Sequence, residues 1–272
     1  MRRGSVVISI ALGALVGVIA ALTGAGGGIL AVPLLVFGLH LTLAQAGPIG
    51  LMATGASAAL GAILAHQVGL VRYKAAALMA LTGMALAPVG LWVATRIPTR
   101  PLTIVFACVL LYVAYRTYAK AIGTAASTGA PEQPAFTPCR LNDNIGRLIW
   151  TAPCARVLAG WGMMVGFLSG LLGVGGGFVI VPALQRYTNL DMRSIVPTSL
   201  AVIALVSVAG VTSSAISGSL MWAIALPFSG GALLGMLGGR AVGKKLSGVM
   251  LQNGFALLCV LVAIGLIARS VM

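Results

Sequence analysis

Residues 22–35 read LTGAGGGILAVPLL, and residues 171–184 read LLGVGGGFVIVPAL. The second segment lies 149 positions after the first, and eight of the fourteen aligned positions are identical without a gap. The same register places Pro48 opposite Pro197 further along the chain. A glycine-rich apolar segment therefore occurs twice, as part of a longer internal repeat.

The repeat divides the chain into two related halves. We expect the first transmembrane repeat over residues 1–120 and the second over residues 155–272. Between them, residues 121–154 are predicted to form a polar linker. Because residues 123–151 are rich in Pro, Thr, Ser and Asn, we expect this linker to be a mostly irregular loop.

The composition excludes an ordinary soluble domain. Of the 272 residues, 60% are hydrophobic and 7% are charged, whereas soluble domains carry about 25% charged residues. No charged residue lies between Arg3 and Arg72, a run of 68 positions. One bilayer crossing needs about 20 apolar residues. The sequence therefore predicts an all-α polytopic membrane protein, with the lipid bilayer as its surroundings.

The net charge of +14 does not indicate a nucleic-acid partner. The basic residues occur in small groups at the ends of apolar segments, without the interleaved aromatic residues of a nucleic-acid surface. Such groups are typical of loop charges that orient membrane helices.

Each half contains one glycine-interrupted segment and three uninterrupted ones. A helix of 35 residues would be about 52 Å long, against a hydrocarbon core of about 30 Å. We therefore expect the interrupted segments to be broken at their glycines. The interrupted segments are 5–39 and 157–185; the uninterrupted ones are 45–65, 75–95, 101–119, 195–215, 220–239 and 249–268.

Two topologies fit this pattern. If the broken segments cross the membrane, there are eight crossings and two parallel repeats, and the 17 basic residues divide 10 against 7. If they are re-entrant, each half crosses three times, the repeats are inverted, and the division is 5 against 12. The positive-inside bias favours inverted repeats with a cytoplasmic linker, although Arg2 and Arg3 then lie outside. We prefer the inverted arrangement.

The glycine clusters carry the chemistry of the predicted site. Non-helical backbone at membrane depth is tolerated only where it is buried in protein or lines a cavity. Free N–H groups at the start of a following half-helix favour an anion, and the absence of side chains lets that anion approach the backbone. Two such clusters near the midplane would form one site. The backbone candidates for substrate binding are Gly24, Gly26, Gly27, Gly28, Gly173, Gly175, Gly176 and Gly177.

Hydroxyl groups and one histidine complete the candidate residues. Thr198 and Ser199 follow a proline and have the character of a helix start with a hydroxyl cap. Thr54 and Ser57 lie about one turn beyond the equivalent position of the first half. His66 is a proton-coupling candidate, because a histidine at membrane depth is a functional candidate by default, although an interfacial structural role is equally compatible.

Several features are absent from the sequence. No acidic residue falls within a predicted crossing, so ligands for a membrane-embedded cation are missing and a small anion fits better. Sequence signatures of a catalytic triad, a phosphate loop, a zinc site or a dinucleotide fold are also absent. The sequence therefore predicts no enzyme, with no catalytic residues, no metal and no cofactor.

Cys139 and Cys154 flank the most polar part of the linker. A disulfide, a redox pair and two plain thiols are all compatible with their positions, and the compartment of the linker decides between them. A membrane thiol or redox protein that uses these two cysteines is thus one alternative function.

The doubled motif G-x-G-G-G-x-x-x-V-P resembles the sulfite exporter TauE/SafE family. Each copy is followed by a proline-containing segment, Pro197-Thr-Ser-Leu200 in the second half and Pro48-Ile-Gly-Leu51 in the first. The chain departs from the family pattern at Ile49 and Gly50, where hydroxyl residues are usual. The resemblance implies an inner-membrane permease for sulfur oxyanions or organosulfonates, commonly an exporter of sulfite.

These observations favour a secondary transporter that moves a small sulfur-containing anion by alternating access. The anion would be of the sulfite, thiosulfate or sulfonate class and would bind between the two glycine-rich breaks. Besides the thiol protein, a second alternative is a non-transporting membrane scaffold whose glycines only pack helices, as in G-x-x-x-G interfaces.

Overall fold

The computed structural model describes residues 3–23, 27–66, 72–126, 139, 141–142, 147–148, 151–243 and 248–271. Within these ranges the chain is almost entirely helical. The helices are α1 (Arg3–Thr23), a 3₁₀ turn (Gly27–Leu30), α2 (Ala31–Gly38), α3 (Leu43–His66), α4 (Tyr73–Arg96), α5 (Thr99–Ala126), α6 (Ala152–Leu172), α7 (Gly177–Tyr187), α8 (Met192–Ile216), α9 (Trp222–Gly243) and α10 (Gly248–Val271).

The prediction of an all-α membrane protein is confirmed. Among the described residues, α3, α4, α5, α6, α8 and α9 are long and apolar enough to cross a membrane. Large apolar side chains such as Leu81, Leu234 and Leu261 are more than half exposed, as expected for surfaces that contact lipid. The predicted segments match these helices within a few residues, except that α5 continues to Ala126.

The linker contains a small element that the sequence did not predict. Strand β1 (Leu141–Asn142) pairs antiparallel with strand β2 (Arg147–Leu148). The helices also extend into the predicted linker from both sides, because α5 ends at Ala126 and α6 begins at Ala152.

The interrupted segments are broken at their glycines, as predicted. In the second half, α6 ends at Leu172 and α7 begins at Gly177. Gly173 and Gly176 have φ angles of 69° and 66°, in the left-handed region that residues with a Cβ rarely adopt. These two glycines let the chain reverse between the helices. In the first half, residues 24–26 of the break lie outside the described residues.

Each broken segment is a helical hairpin. In the first half, Gly38 at the end of α2 lies against Leu12 in the middle of α1. In the second half, Tyr187 at the end of α7 contacts Trp161 in the middle of α6, with ring centroids 6.0 Å apart. The second helix of each pair therefore folds back along the first.

The linker cysteines lie at the open end of the second hairpin. Cys139 forms a disulfide with Cys154 in the first turn of α6. The Cys139 N–H also donates to the Tyr187 carbonyl at 3.3 Å, and Cys139 pairs with Thr188 in a β-bridge. The start of α6 and the end of α7 are therefore neighbours, so the hairpin returns to the end from which it began.

The two halves interlock through glycine stripes. A methyl group on Gly13 of α1 would lie 2.1 Å from the Phe228 carbonyl oxygen of α9, and one on Gly17 would lie 2.0 Å from that of Ala232. Helices α1 and α9 therefore run parallel with their backbones in contact, as in small-residue interfaces.

Helices α6 and α4 repeat this arrangement with the halves exchanged. A methyl group on Gly166 of α6 would lie 2.0 Å from the Gly83 carbonyl oxygen, and one on Gly170 would lie 2.0 Å from that of Ala87. Each hairpin is thus packed against a helix of the other half.

Helices α3 and α8 cross at the centre of the molecule. Leu51 of α3 lies against Gly210 of α8, and Leu200 of α8 lies against Gly61 of α3. The two contacts exchange equivalent residues of the repeat, because Leu51 and Gly61 are separated from Leu200 and Gly210 by 149 positions. The two helices therefore run antiparallel.

Candidate functional site

A cavity of about 30 Å³, here called the central cavity, lies where the two glycine breaks meet the α3–α8 crossing. Both halves of the chain contribute to its walls, which contain no charged side chain among the described residues. The lining residues are Ala20, Gly28, Ile29, Thr54, Ser57, Ala58, Val174, Gly175, Gly177, Phe178, Leu200, Ile203 and Met236.

Thr54 lies between the two glycine motifs. A methyl group on Gly28 would lie 2.6 Å from Thr54 Cγ2, and one on Gly175 would lie 3.3 Å from Thr54 Oγ1. The Thr54 side chain is 7% exposed, and its hydroxyl donates to the Leu51 carbonyl at 3.2 Å. The structure therefore brings both motifs together, with one hydroxyl between them.

The start of α7 presents unpaired N–H groups. Within the described part of the chain, the N–H groups of Gly175, Gly177 and Phe178 have no backbone acceptor. Gly176 precedes the helix, and no side chain caps it. Because Gly175, Gly177 and Phe178 all line the central cavity, the positive end of the helix dipole is directed toward it.

Ser57 adds a hydroxyl without a partner. Its side chain is 3% exposed, and its Oγ atom has no hydrogen-bond partner among the described residues. A buried polar atom without a partner is rare and calls for an explanation such as a bound ion or water. Since Ser57 lines the central cavity, a ligand there would supply that partner.

The two halves contribute equivalent glycines to the cavity wall but different side chains. Gly28 and Gly177, which are 149 positions apart, line it from opposite halves. Thr54, however, is equivalent to Ile203, and Ser57 is equivalent to Val206. Both hydroxyls in the cavity wall therefore come from the first half.

Not every predicted glycine lies in the cavity wall. Gly24 and Gly26 lie outside the described residues, and Gly27 begins the 3₁₀ turn before α2. Gly173 contacts the backbone of Gly47 in α3, so it packs two segments together rather than lining the cavity.

Gly176 does not line the central cavity, and its N–H group lies against the Val174 carbonyl. A side chain at Gly176 would meet Val165, so the residue shapes the turn between α6 and α7. Its role in the site is to place the following N–H groups at the cavity.

Thr198 and Ser199 do not cap a helix, because α8 already begins at Met192. Thr198 Oγ1 donates to the Ser194 carbonyl at 2.6 Å and accepts the Arg72 N–H at 3.1 Å. The Ser199 hydroxyl donates to the Val196 carbonyl at 2.8 Å. Both side chains are buried, and neither lines the central cavity.

His66 lies at the end of α3, where its ring is exposed and its Nδ1 atom is hydrogen-bonded with the hydroxyl of Tyr73. Twelve residues separate it from Thr54, a distance of about 18 Å along a helix. His66 is therefore distant from the central cavity, at one end of the α3–α4 pair.

Packed groups flank the central cavity along α3 in both directions. Toward the start of α3, the Gly47 backbone lies against that of Gly173. Toward its end, the side chains of Leu200 and Met236 lie against Gly61. Backbone contact is thus found on one side of the cavity, and apolar side chains lie on the other.

Sequence reasoning missed the apolar part of this site, including Met236, Ile203 and Phe178. The internal repeat indicates two of them, because Ile203 is equivalent to Thr54 and Phe178 is equivalent to Ile29, and both equivalents also line the cavity. Met236 had no such signal, because its equivalent residue, Ala87, does not line the cavity.

Comparisons with known proteins identify the family of the chain. The chain matches the family described as Sulfite exporter TauE/SafE over residues 9–266. It is 28% identical over 251 residues to the “probable membrane transporter protein YunE” of Bacillus subtilis (strain 168), covering 89% of this chain and 90% of the relative. It is 28% identical over 275 residues to a “probable membrane transporter protein” of Xylella fastidiosa (strain Temecula1 / ATCC 700964), covering 99% and 98%. No solved structure matches the chain.

Proposed function

Because the chain belongs to the sulfite exporter TauE/SafE family of membrane transporters, we propose that it is a secondary transporter that exports a small sulfur-containing anion through the central cavity. It is a multi-pass protein of the inner membrane, and its family comprises transporters rather than enzymes. The choice of anion, the direction and the mechanism are parts of this proposal.

The single observation that carries the proposal is the set of unpaired donors in one buried cavity. Gly175, Gly177 and Phe178, whose N–H groups have no backbone acceptor among the described residues, line the same cavity as Ser57, whose hydroxyl has no hydrogen-bond partner there. Hydrogen bonds from backbone N–H groups to an oxyanion are charge-assisted and stronger than those between neutral groups. No acidic side chain lines the cavity to repel an anion.

The size of the cavity favours a compact anion. Its volume of about 30 Å³ holds about one or two water molecules. Sulfite has one sulfur and three oxygen atoms, so it needs only a small expansion. A sulfonate with an organic chain would require Leu200 and Met236 to move away from Gly61. Sulfite is therefore the substrate that we propose first, with thiosulfate and small sulfonates as competitors.

Export needs no coupling ion under this proposal. The inside-negative potential drives an anion outward by about 2.3 kcal/mol per charge per 100 mV. A divalent anion gains about twice that amount.

We further propose inverted repeats and alternating access. Parallel repeats would orient equivalent helices in the same direction, whereas α3 and α8 run antiparallel at their crossing. The exchange of partners between the α1–α9 and α6–α4 pairs also supports a two-fold relation between the halves. A site at such a crossing is reached from either side by rocking one half against the other.

Ser57→Ala provides a sharp test of this function in proteoliposomes loaded with labelled sulfite. Because the Ser57 hydroxyl has no partner in the described part of the chain, its removal should leave the unfolding temperature unchanged while reducing sulfite flux about tenfold. Ser214→Ala is the matched control, since the buried Ser214 hydroxyl already donates to the Gly210 carbonyl at 2.8 Å.

Thr54→Val tests the second hydroxyl in the same assay, with the exposed Thr212→Val as its control. We expect lower flux only for Thr54→Val. Wild-type flux in both cavity variants would refute binding at the central cavity. Competition by unlabelled thiosulfate and a small sulfonate would rank the substrates.

A further inference from the structure

A second cavity, of about 180 Å³, lies away from the glycine motifs. It forms where the loop from α2 to α3 meets the start of α5 and the end of α10. We name it the Arg100 cavity. Its lining residues are Val36, His40, Leu41, Thr42, Leu43, Thr99, Arg100, Thr103 and Leu266.

The polar groups of the Arg100 cavity are hydroxyl groups, one imidazole ring and one guanidinium group. Arg100 and His40 line it together with Thr42, Thr99 and Thr103. The N–H groups of Thr99, Arg100 and Leu102 at the start of α5 have no acceptor within their own helix and add a positive helix end, whereas Pro101 carries no N–H group. The side chains of Arg100 and His40 are exposed, so the cavity is open to an anion from outside. The wall therefore combines a permanent cation with several hydrogen-bond donors.

The parts of the chain that line the Arg100 cavity contain no Asp or Glu. Residues 4–131 contain no Asp or Glu, and neither do residues 192–272. These two ranges include every element that lines the cavity. A guanidinium group presents five donors in a planar fork that matches an oxyanion, so an oxyanion from outside the chain is the fitting partner.

The loop holds His40 in an unusual backbone conformation. His40 has a φ angle of 54°, and no other described non-glycine residue has a positive φ. Such strained residues cluster at functional sites. This conformation keeps His40 among the residues that line the cavity opposite α5.

The Arg100 cavity and the central cavity are both lined by helix α3. Leu43 at the start of α3 lines the first, and Thr54 lines the second. Eleven residues of helix separate them, which corresponds to about 16 Å. The residues of α3 that line the two cavities are thus a short distance apart.

We propose that the Arg100 cavity is a second oxyanion site, in which Arg100, His40 and the first turn of α5 bind a sulfur oxyanion or a phosphate group. The transported anion at the membrane surface and the phosphate of an anionic lipid are the two sources of this chemistry. Only the first source rests on the proposed function.

Arg100→Gln tests the site, and Arg96→Gln is the matched control. Arg96 stands four residues earlier and carries the same charge, but it stacks on Trp92 at 5.0 Å and does not line the cavity. A free-anion arm measures sulfite flux in neutral phosphatidylcholine vesicles. A lipid arm measures phosphatidylglycerol retained by purified protein in native mass spectrometry.

For the free anion, Arg100→Gln should raise the half-saturating sulfite concentration roughly three- to tenfold while Arg96→Gln leaves it unchanged, because an arginine–oxyanion contact is charge-assisted. For the lipid, only Arg100→Gln should lose phosphatidylglycerol while phosphatidylcholine retention stays the same. Either selective effect supports the site and identifies its source.

Equal effects of Arg96→Gln and Arg100→Gln in both arms would overturn the proposal, because surface charge alone would then explain them. His40→Asn gives a second measurement, since Asn tolerates the left-handed conformation; it should weaken the same ligand as Arg100→Gln. If the wild-type protein moves no sulfite, the proposed function fails while the lipid arm still tests the Arg100 cavity.

Discussion

Gly175→Ala should separate anion binding from helix packing. The new methyl group would lie 2.8 Å from Ile203 Cγ2 and 3.3 Å from Thr54 Oγ1, inside a cavity of about 30 Å³. Both neighbours are side-chain atoms, which can shift, so we expect overpacking to lower the free energy of unfolding by about 1–3 kcal/mol. The protein should therefore fold, with its anion site largely filled.

Gly175→Ala should lower sulfite flux, because its methyl group takes up the space beside the N–H groups of Gly177 and Phe178. Breaking two or three charge-assisted hydrogen bonds, each worth about 1.5–3 kcal/mol, lowers affinity by at least two orders of magnitude. The assay is labelled sulfite flux from proteoliposomes, scaled to the amount of folded protein by size-exclusion chromatography.

Two further glycines serve as controls for this variant. Nothing lies within 4 Å of a methyl group on Gly238 of α9, so Gly238→Ala should keep both fold and flux. A methyl group on Gly166 would lie 2.0 Å from the Gly83 carbonyl oxygen, so Gly166→Ala should reduce the amount of folded protein. If folded Gly175→Ala moves sulfite at the wild-type rate, the central cavity is not the anion site.

Three other predictions follow from the structure. Cys139→Ser with Cys154→Ser should leave sulfite flux within about twofold, because the disulfide lies at the open end of the second hairpin; lost flux with intact folding would favour the thiol-protein alternative. Gly55→Ala should lower the yield of folded protein in size-exclusion chromatography, because a Cβ on Gly55 would lie 2.4 Å from Ser207 Cβ at the α3–α8 crossing; a wild-type yield would contradict this close packing. His66→Ala should abolish any pH dependence of flux if this residue couples protons, and an unchanged pH profile would exclude that role.

The fold was predictable because a segment that crosses the membrane must be apolar and must satisfy its own backbone hydrogen bonds. Long neutral runs specify helices, and a glycine cluster interrupts a helix whose residues are otherwise apolar. The break between Leu172 and Gly177 is found where the repeat placed it. The return of α7 along α6 needs the left-handed Gly173 and Gly176, and composition alone does not specify these angles.

The sequence did not predict which helices pair, although it contains the glycine spacings that are typical of helix interfaces. Gly13 and Gly17 have the spacing of a small-residue interface, as do Gly166 and Gly170. Spacing identifies one surface of such an interface but not its partner. The exchange of α9 and α4 between the halves could therefore be seen only in the structure.

The orientation of the linker is supported by one signal and opposed by another. The inverted arrangement places 12 basic residues on the linker side, which predicts a cytoplasmic linker. The disulfide between Cys139 and Cys154 is typical of an oxidising compartment. A membrane-impermeant thiol reagent, applied to intact cells after mild reduction, would label these cysteines only if the linker faces outward.

The asymmetry of the central cavity explains which parts of the site could be predicted. A repeat preserves what both halves need for their shape, and here that is the backbone of Gly28 and Gly177 on opposite walls. The proposed anion at the crossing of α3 and α8 would need only one set of hydroxyls, which the first half supplies. Sequence reasoning gave weight to the second half because Thr198 and Ser199 are present there, but their hydroxyls bond to their own helix. Hydroxyls one turn further along α3 reach the cavity instead, since helical periodicity decides which positions point inward.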